Sequence, residues 1–270
     1  MLSSELREQF SRALQAAKAL KIEIRERDLI VYSRGAEPPA FISYIASLHA
    51  GLEVTVASTA EASVHILPYS ERPRALIFST SQKDSRAVSA AITASLSGSQ
   101  AILIAPPQPP LLEERLEVRG VERVKLPTAA PVMTSSLLAL MSAPRLMGFR
   151  DNRVREEIAA LESALEWSSK GLEGLRGGYD LIAYSPTTRA GAFYYRDATG
   201  KREPVPIEAL PALRDGRALA LYSSAEEGEY REIMTSPRRA EAEFLSINAD
   251  PVMAALYSVL YAALLAGKVI

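Results

Sequence analysis

Apolar residues at helical spacing open the chain. Leu6, Phe10, Leu14, Ala17 and Leu20, behind Ser4 and Glu5, predict an amphipathic first helix. The spacing then changes to a short apolar run, Asp28 to Tyr32, which reads as a buried strand ending in Ser33-Arg34-Gly35. Pro38 and Pro39 suit the first turn of a helix whose apolar positions are Phe41, Ile42, Ile45 and Leu48. A second strand is expected over Leu52 to Ala57, and a third over Ala75 to Phe78, followed at once by helical spacing from Lys83 to Leu96. The stretch from Ser58 to Glu71 fits no single pattern. A strand at Ala101 to Ile104, a Pro-rich connection (Pro106, Pro107, Pro109, Pro110), a small strand at Arg123 to Leu126 and a helix from Pro131 to Leu146 complete the first half. Strands alternating with helices predict a parallel sheet covered on both faces.

The second half repeats the first. Asp28-Leu29-Ile30-Val31-Tyr32-Ser33 returns as Asp180-Leu181-Ile182-Ala183-Tyr184-Ser185. Arg74-Ala75-Leu76, with Ser79 and Ser81 downstream, returns as Arg217-Ala218-Leu219 with Ser223 and Ser224 downstream. Each copy opens with a helix, since Val154, Ile158, Leu161, Leu165 and Trp167 continue one apolar stripe. The repeat ends with a strand, Glu243 to Ile247, and an apolar helix, Pro251 to Leu265. Two similar α/β subdomains are expected, residues 1–148 and 149–270.

Composition narrows the class. With 48% hydrophobic and 23% charged residues, the 270-residue chain can bury a proper core, and a net charge of −1 gives no global footprint for nucleic acid. The absence of cysteine removes disulfides, thiolate metal sites and a cysteine nucleophile. Met1 to Glu8 lacks the order of a signal peptide, and the apolar segment at 251–267 contains Tyr257, Ser258 and Tyr261, so it reads as a buried helix rather than a membrane span. A soluble, cytoplasmic protein is expected. No Walker loop, Gly-x-Gly-x-x-Gly or His-Glu-x-x-His occurs, and neither cofactor nor metal is expected. Glu226-Glu227-Gly228-Glu229 reads as a solvated helix start, and Arg238-Arg239 as an isolated basic spot.

The stretch most suggestive of chemistry is Ser79-Thr80-Ser81-Gln82-Lys83-Asp84-Ser85, where a buried strand stops and a helix starts. In an open α/β sheet ligands bind beyond the carboxyl ends of the strands, and a helix N-terminus there offers free N–H groups. Ser79, Ser81 and Ser85 would line such an anion site. Equally, Ser81 or Asp84 can simply cap the helix.

The ordered set of a helix, a strand ending in a glycine-containing turn, a second strand followed by Ala57-Ser58-Thr59-Ala60-Glu61, and a third ending in Ser79-Thr80-Ser81 resembles a sugar isomerase (SIS) domain. Two copies, with Ala249-Asp250-Pro251 leading into the last helix, resemble the isomerase module of glucosamine-6-phosphate synthase and the archaeal phosphoglucose/phosphomannose isomerases. The resemblance implies two tandem flavodoxin-like αβα sandwiches, a phosphorylated sugar or amino sugar as ligand, and a homodimer. It places Ser33, Arg34, Gly35, Ser79, Thr80, Ser81 and Ser85 around the sugar phosphate. Two departures stand out. The family's Ser-x-Ser-Gly-x-Thr turn has Gln82 at the glycine and Asp84 at the threonine, and its Gly-x-Gly-x-Ser turn reads Ser33-Arg34-Gly35-Ala36-Glu37.

Aldose–ketose isomerisation needs a base and a group that assists ring opening. The chain has two histidines. His49 lies at a helix end, and His65, in Val64-His65-Ile66, looks like a partly buried packing position. Asp197 falls about where the family's basic Glu would be, although Asp197-Ala198-Thr199-Gly200-Lys201 reads equally as a hairpin turn. Lys268, near the end of the chain, is no convincing counterpart of the family's C-terminal lysine. Asp197 and His65 are therefore the catalytic candidates, and a non-catalytic phosphosugar sensor or a fold-only interaction protein are the alternatives. The helix from Pro251 to Leu265 is so apolar that a dimer contact is expected there.

Overall fold

A computed structural model describes residues 3–69, 74–146, 148–236 and 241–270. Arg238 and Arg239 lie outside the described residues. The chain divides into two compact units, residues 11–148 and residues 149–269, and the opening turns of the first helix, to Phe10, group with the second. The expected division placed that whole helix in the first.

In the first unit, strands β1 (Leu29–Tyr32), β2 (Thr55–Ser58), β3 (Arg74–Phe78), β4 (Gln100–Ala105) and β5 (Glu122–Lys125) form one sheet in the order β2-β1-β3-β4-β5. All four pairings are parallel. Alternate residues point to opposite faces of a strand. Leu29, Val31, Ala75, Ile77, Ala101 and Leu103 share one core with Ala87, Val88, Ala91 and Ala94 of α4 (Ser85–Leu96) and Leu116 of α5 (Pro110–Val118). Ile30, Leu76, Ile102 and Ile104 lie on the other face and are equally buried, which is why these strands read as continuous apolar runs. Helices α2 (Glu37–His49) and α6 (Pro131–Met141) pack against each other.

Helix α1 spans Ser4–Ala19, and Leu6, Phe10, Leu14 and Ala17 are buried as its spacing demands. The ambiguous stretch after β2 is a single helical turn, α3 (Thr59–Glu61), running into a π-helical turn at Ala62–Ile66. The Pro-rich connection hides α5. Pro110 occupies its first turn, where a missing N–H costs nothing.

In the second unit, the single expected opening helix is two, α7 (Phe149–Ala159) and α8 (Leu161–Gly171), interrupted at Ala160. Strands β6 (Leu181–Tyr184), β7 (Val205–Pro206), β8 (Arg217–Ser223) and β9 (Glu241–Ile247) form a parallel sheet in the order β7-β6-β8-β9. That order matches β2-β1-β3-β4 element for element, so the sequence repeat is a structural repeat. Helices α9 (Arg189–Thr199), α10 (Glu227–Thr235) and α11 (Pro251–Ala266) complete the unit, with a 3₁₀ helix at Ile207–Ala212.

Helix α11 is buried along its whole middle, Val252 to Ala263, and packs on α9 and α8 of its own unit. Its all-round apolar sequence therefore marks a central helix and leaves no exposed face of the kind expected to pair two copies. Among the described residues, no helix is long and apolar enough to cross a membrane.

Tyr179, fully buried before β6, donates its hydroxyl hydrogen to the Glu243 carboxylate of β9. Burial first, and that hydrogen bond second, push its phenol up to about 12. A pKa raised on folding stabilises the fold below the unfolded value of about 10, and that contribution is lost as pH rises through the folded value. In an alkaline unfolding titration, Tyr179→Phe should remove the loss of stability between these two values, leaving a flatter profile there than the parent's.

Candidate functional site

The strand order places the candidate site. The chain runs from β1 outward to β2 and returns to β3 on the other side of β1, so the crevice beyond the carboxyl ends of β1 and β3 is the topological switch point. Tyr32 and Phe78 are register partners there, and the turns that follow them, Ser33–Ala36 and Ser79–Asp84, lie side by side.

The first turn is tight and largely buried. The Ser33 N–H donates to the Phe78 carbonyl at 3.1 Å, and its hydroxyl points at the same oxygen at 3.4 Å. Ala36 N–H closes the turn on the Ser33 carbonyl at 2.9 Å. Gly35 has φ 89°, which a residue with a Cβ adopts only under strain. Its N–H donates to Glu37 Oε2 at 2.5 Å, so a buried carboxylate stands beside the turn. Arg34 is exposed on the outer side.

The second turn is closed by Asp84. Ser79, 1% exposed, sends its N–H to the Ile104 carbonyl at 3.0 Å and its hydroxyl hydrogen to Asp84 Oδ2 at 2.6 Å. Asp84 Oδ1 accepts from the Ala87 N–H at 3.0 Å, which caps α4. The Ser81 N–H points at Ser79 Oγ at 3.4 Å, and Ser81 Oγ accepts from the Lys83 N–H at 3.2 Å. The helix begins at Ser85, later than the spacing suggested. Ser85 and Ser81 are exposed and Thr80 half-buried. Thus the Ser79 hydroxyl and the first turn of α4 converge on a carboxylate of the chain itself.

Gln108, which belongs to no sequence motif, joins this edge from the loop after β4. Its side-chain N–H groups donate to the Ser81 carbonyl at 2.9 Å and the Pro106 carbonyl at 2.8 Å, fixing the β3 turn against the next strand.

The catalytic candidates are not part of these two turns. Asp197 belongs to α9, whose end is set by Gly200 at φ 68°, so the hairpin reading of that stretch is wrong. Asp197 pairs with Arg196 at 2.7 Å, and Arg196 also meets Glu203 at 3.0 Å. Helix α9 starts just after the carboxyl end of β6 and runs back along its own sheet for about 16 Å, which carries Asp197 away from the carboxyl end of β6. His65 is exposed on the π-helical turn rather than packed. His49 ends α2, which by the same geometry lies away from the ligand edge.

The second unit repeats the arrangement at its own switch point. Glu226 Oε1 accepts from the Thr187 hydroxyl at 2.8 Å and the Thr187 N–H at 3.2 Å, while Oε2 accepts from the Ser223 N–H at 3.0 Å. Both sheets therefore close their ligand edge with an internal carboxylate.

No protein-family model matches the sequence, and no curated protein matches it. Solved structures do match. A glucosamine-6-phosphate deaminase from Thermotoga maritima is similar over 97% of this chain and 90% of its own, with TM-score 0.63 and 14% identity. The tagatose-6-phosphate ketose/aldose isomerase of Escherichia coli is similar over 97% and 87%, with TM-score 0.56 and 14% identity. The C-terminal domain of glucosamine-fructose-6-phosphate aminotransferase from Francisella tularensis is similar over 97% and 95%, with TM-score 0.54 and 12% identity. At such identities it is the architecture that is shared: this chain has the fold of the sugar isomerase (SIS) proteins, built twice on parallel sheets.

Proposed function

We propose that the chain binds a phosphorylated sugar or amino sugar at the β1/β3 switch point of its first unit and acts by binding rather than by isomerisation. The observation that carries this reading is the Ser79 turn, where a buried hydroxyl and the start of α4 are aimed at one anionic group, Asp84. A carboxylate held this way takes up donors that a phosphate would otherwise use, so the internal anion competes with the ligand. Proteins of the same fold that act on glucosamine 6-phosphate and tagatose 6-phosphate supply the ligand class. The absence of isomerisation is supported by the two histidines, since His49 closes α2 at its far end and His65 is exposed on the π-helical turn, and neither belongs to the two turns at this edge.

The test is a thermal-shift panel of hexose 6-phosphates and hexosamine 6-phosphates, with the unphosphorylated sugars and inorganic phosphate as controls, run beside a coupled aldose–ketose assay. The expected result is a shift with a phosphosugar larger than with either of its parts, and no turnover. Turnover would restore the isomerase reading. No shift with any phosphosugar would leave the fold without this ligand.

A further inference from the structure

We propose that the side-chain oxygen of Gln108 belongs to the ligand site of the first unit and accepts a hydrogen bond from a sugar hydroxyl. This rests on the phosphosugar reading and adds to it the group that tells one sugar from another. Gln108 is 7% exposed. Its amide hydrogens go to the Ser81 and Pro106 carbonyls, at 2.9 and 2.8 Å. Carbonyls only accept, so the amide nitrogen faces them and the amide oxygen is left over. That oxygen is enclosed and accepts no hydrogen bond from any described residue. The nitrogen and oxygen of one amide lie about 2.2 Å apart, which keeps the oxygen within about 5 Å of the Ser81 carbonyl, beside the turn that carries Ser79 and Asp84.

The sequence explains why the loop leaves this acceptor open. Pro106, Pro107, Pro109 and Pro110 flank Gln108 and have no N–H to give. The one backbone N–H of the segment is that of Gln108 itself, and it donates to Glu113 Oε1 at 2.9 Å. Glu113 also pairs with Arg123 of β5, so the loop is braced on one side by α5 and on the other by the β3 turn. A buried acceptor without a donor is costly, and an incoming O–H recovers that cost. A phosphate monoester at neutral pH is mostly a dianion and brings acceptors. The sugar attached to it brings several hydroxyls. The donors of the turn thus serve the phosphate, and the Gln108 oxygen serves the sugar. The oxygen is shut from solvent as the turn stands. A phosphate that takes the Ser79 hydroxyl must release it from Asp84, and the same loosening of the turn, to which Gln108 is tied through Ser81, brings the acceptor within reach of the sugar.

The test takes the hexose or hexosamine 6-phosphate that shifts the melt of the full chain most, and titrates it and its monodeoxy analogues calorimetrically into the parent and Gln108→Met. In the parent, one analogue should bind about tenfold more weakly than the intact sugar, because losing that hydroxyl leaves the acceptor unpaired. Methionine fills similar space without a hydrogen-bonding amide, so in Gln108→Met the same analogue and the intact sugar should bind equally, within about twofold. Gln108→Met also loses both bonds that brace the turn, which weakens the sugar phosphate and inorganic phosphate alike. The ratio between analogue and intact sugar is untouched by that loss, and it separates contact from bracing. A parent that is indifferent to every deletion overturns the proposal whatever the variant does, and so does an equal loss in parent and variant. If no sugar 6-phosphate shifts the melt at all, it is the ligand reading that fails, and this proposal falls with it.

Discussion

Replacing Asp28 by alanine is expected to cost about 3–5 kcal/mol, because it strands a buried guanidinium. Asp28 is fully buried before β1, and Arg74, 4% exposed, opens β3 beside it. The Arg74 guanidinium donates to both carboxylate oxygens, at 3.0 and 2.6 Å, and to the Glu23 carbonyl, while the Arg25 N–H donates to Asp28 at 2.7 Å. With the carboxylate gone, a cation with little access to water has no counter-charge. Hydrogen exchange of the β1 and β3 amides is the measurement, since it reports the stability of this unit by itself. The paired replacement Asp28→Leu/Arg74→Met should recover most of the loss, because removing both charges also removes their desolvation penalty. A double variant no more stable than Asp28→Ala would mean that the site is set by backbone geometry instead. The second unit supplies a milder counterpart. Asp180 accepts the Arg217 N–H at 2.8 Å, but the Arg217 side chain is 27% exposed and turns to the Gly177 carbonyl at 2.8 Å. Asp180→Ala should therefore cost about 1–2 kcal/mol, the value of a partly exposed hydrogen bond to a charged group.

The second large effect is expected at Gly191, where α9 crosses α11. A Cβ there would lie 2.3 Å from the Ser258 carbonyl oxygen and 2.4 Å from its carbon, closer than real atoms approach, and the obstacle is backbone. The contact is also bonded: the Gly191 N–H donates to Ser258 Oγ at 3.0 Å, and that hydroxyl donates to the Ala255 carbonyl at 2.7 Å. Gly191→Ala gains up to about 1 kcal/mol of helix propensity, but it must push two packed helices apart, and overpacking of this severity costs about 3 kcal/mol or more. Gly228→Ala, in the first turn of α10 with nothing within 4 Å of its added Cβ, should be neutral or slightly stabilising. Thermal melts followed through Trp167, which stacks on Tyr257 of α11 at 4.9 Å between ring centroids, report on this unit. Equal melting temperatures for the two variants would contradict the close crossing.

Much of the architecture is legible in the sequence. Asp28 and Arg74 recur as Asp180 and Arg217 at the starts of the two central strands of each sheet, where the aspartate accepts from the Arg74 guanidinium in the first unit and from the Arg217 N–H in the second. Continuous apolar runs marked the parallel strands, since both faces are covered. What escaped was either short or hidden by composition. Strand β7 has two residues, and α5 begins inside a Pro-rich segment whose last proline is compatible with a helix start. The pause between α7 and α8 at Ala160 carries no breaker residue. Helix α11 was located correctly but its partner was not, because an all-apolar sequence says that a face is buried without saying by what.

The site was partly readable. The conflict between Asp84 and a phosphate-binding turn was visible in the residues, and the structure gives it a form, a carboxylate that both caps α4 and accepts from Ser79. Gln108 was not readable, since it reaches the turn from 27 residues away and its loop has no motif of its own. Glu37 and Glu226 were visible only as acidic residues near helix starts. Their bonds to Gly35 and Thr187 depend on where the turns meet.

Isothermal titration with a hexosamine 6-phosphate on three proteins tests the central claim most directly. The parent should bind weakly, because Asp84 already holds the donors at the Ser79 turn. Asp84→Thr keeps a capping oxygen and removes the charge, and it should tighten binding about tenfold, a gain of about 1.4 kcal/mol. Ser79→Ala/Ser81→Ala should abolish binding. If Asp84→Thr leaves the affinity unchanged and the serine double variant still binds, the ligand sits elsewhere and this turn is a helix cap alone.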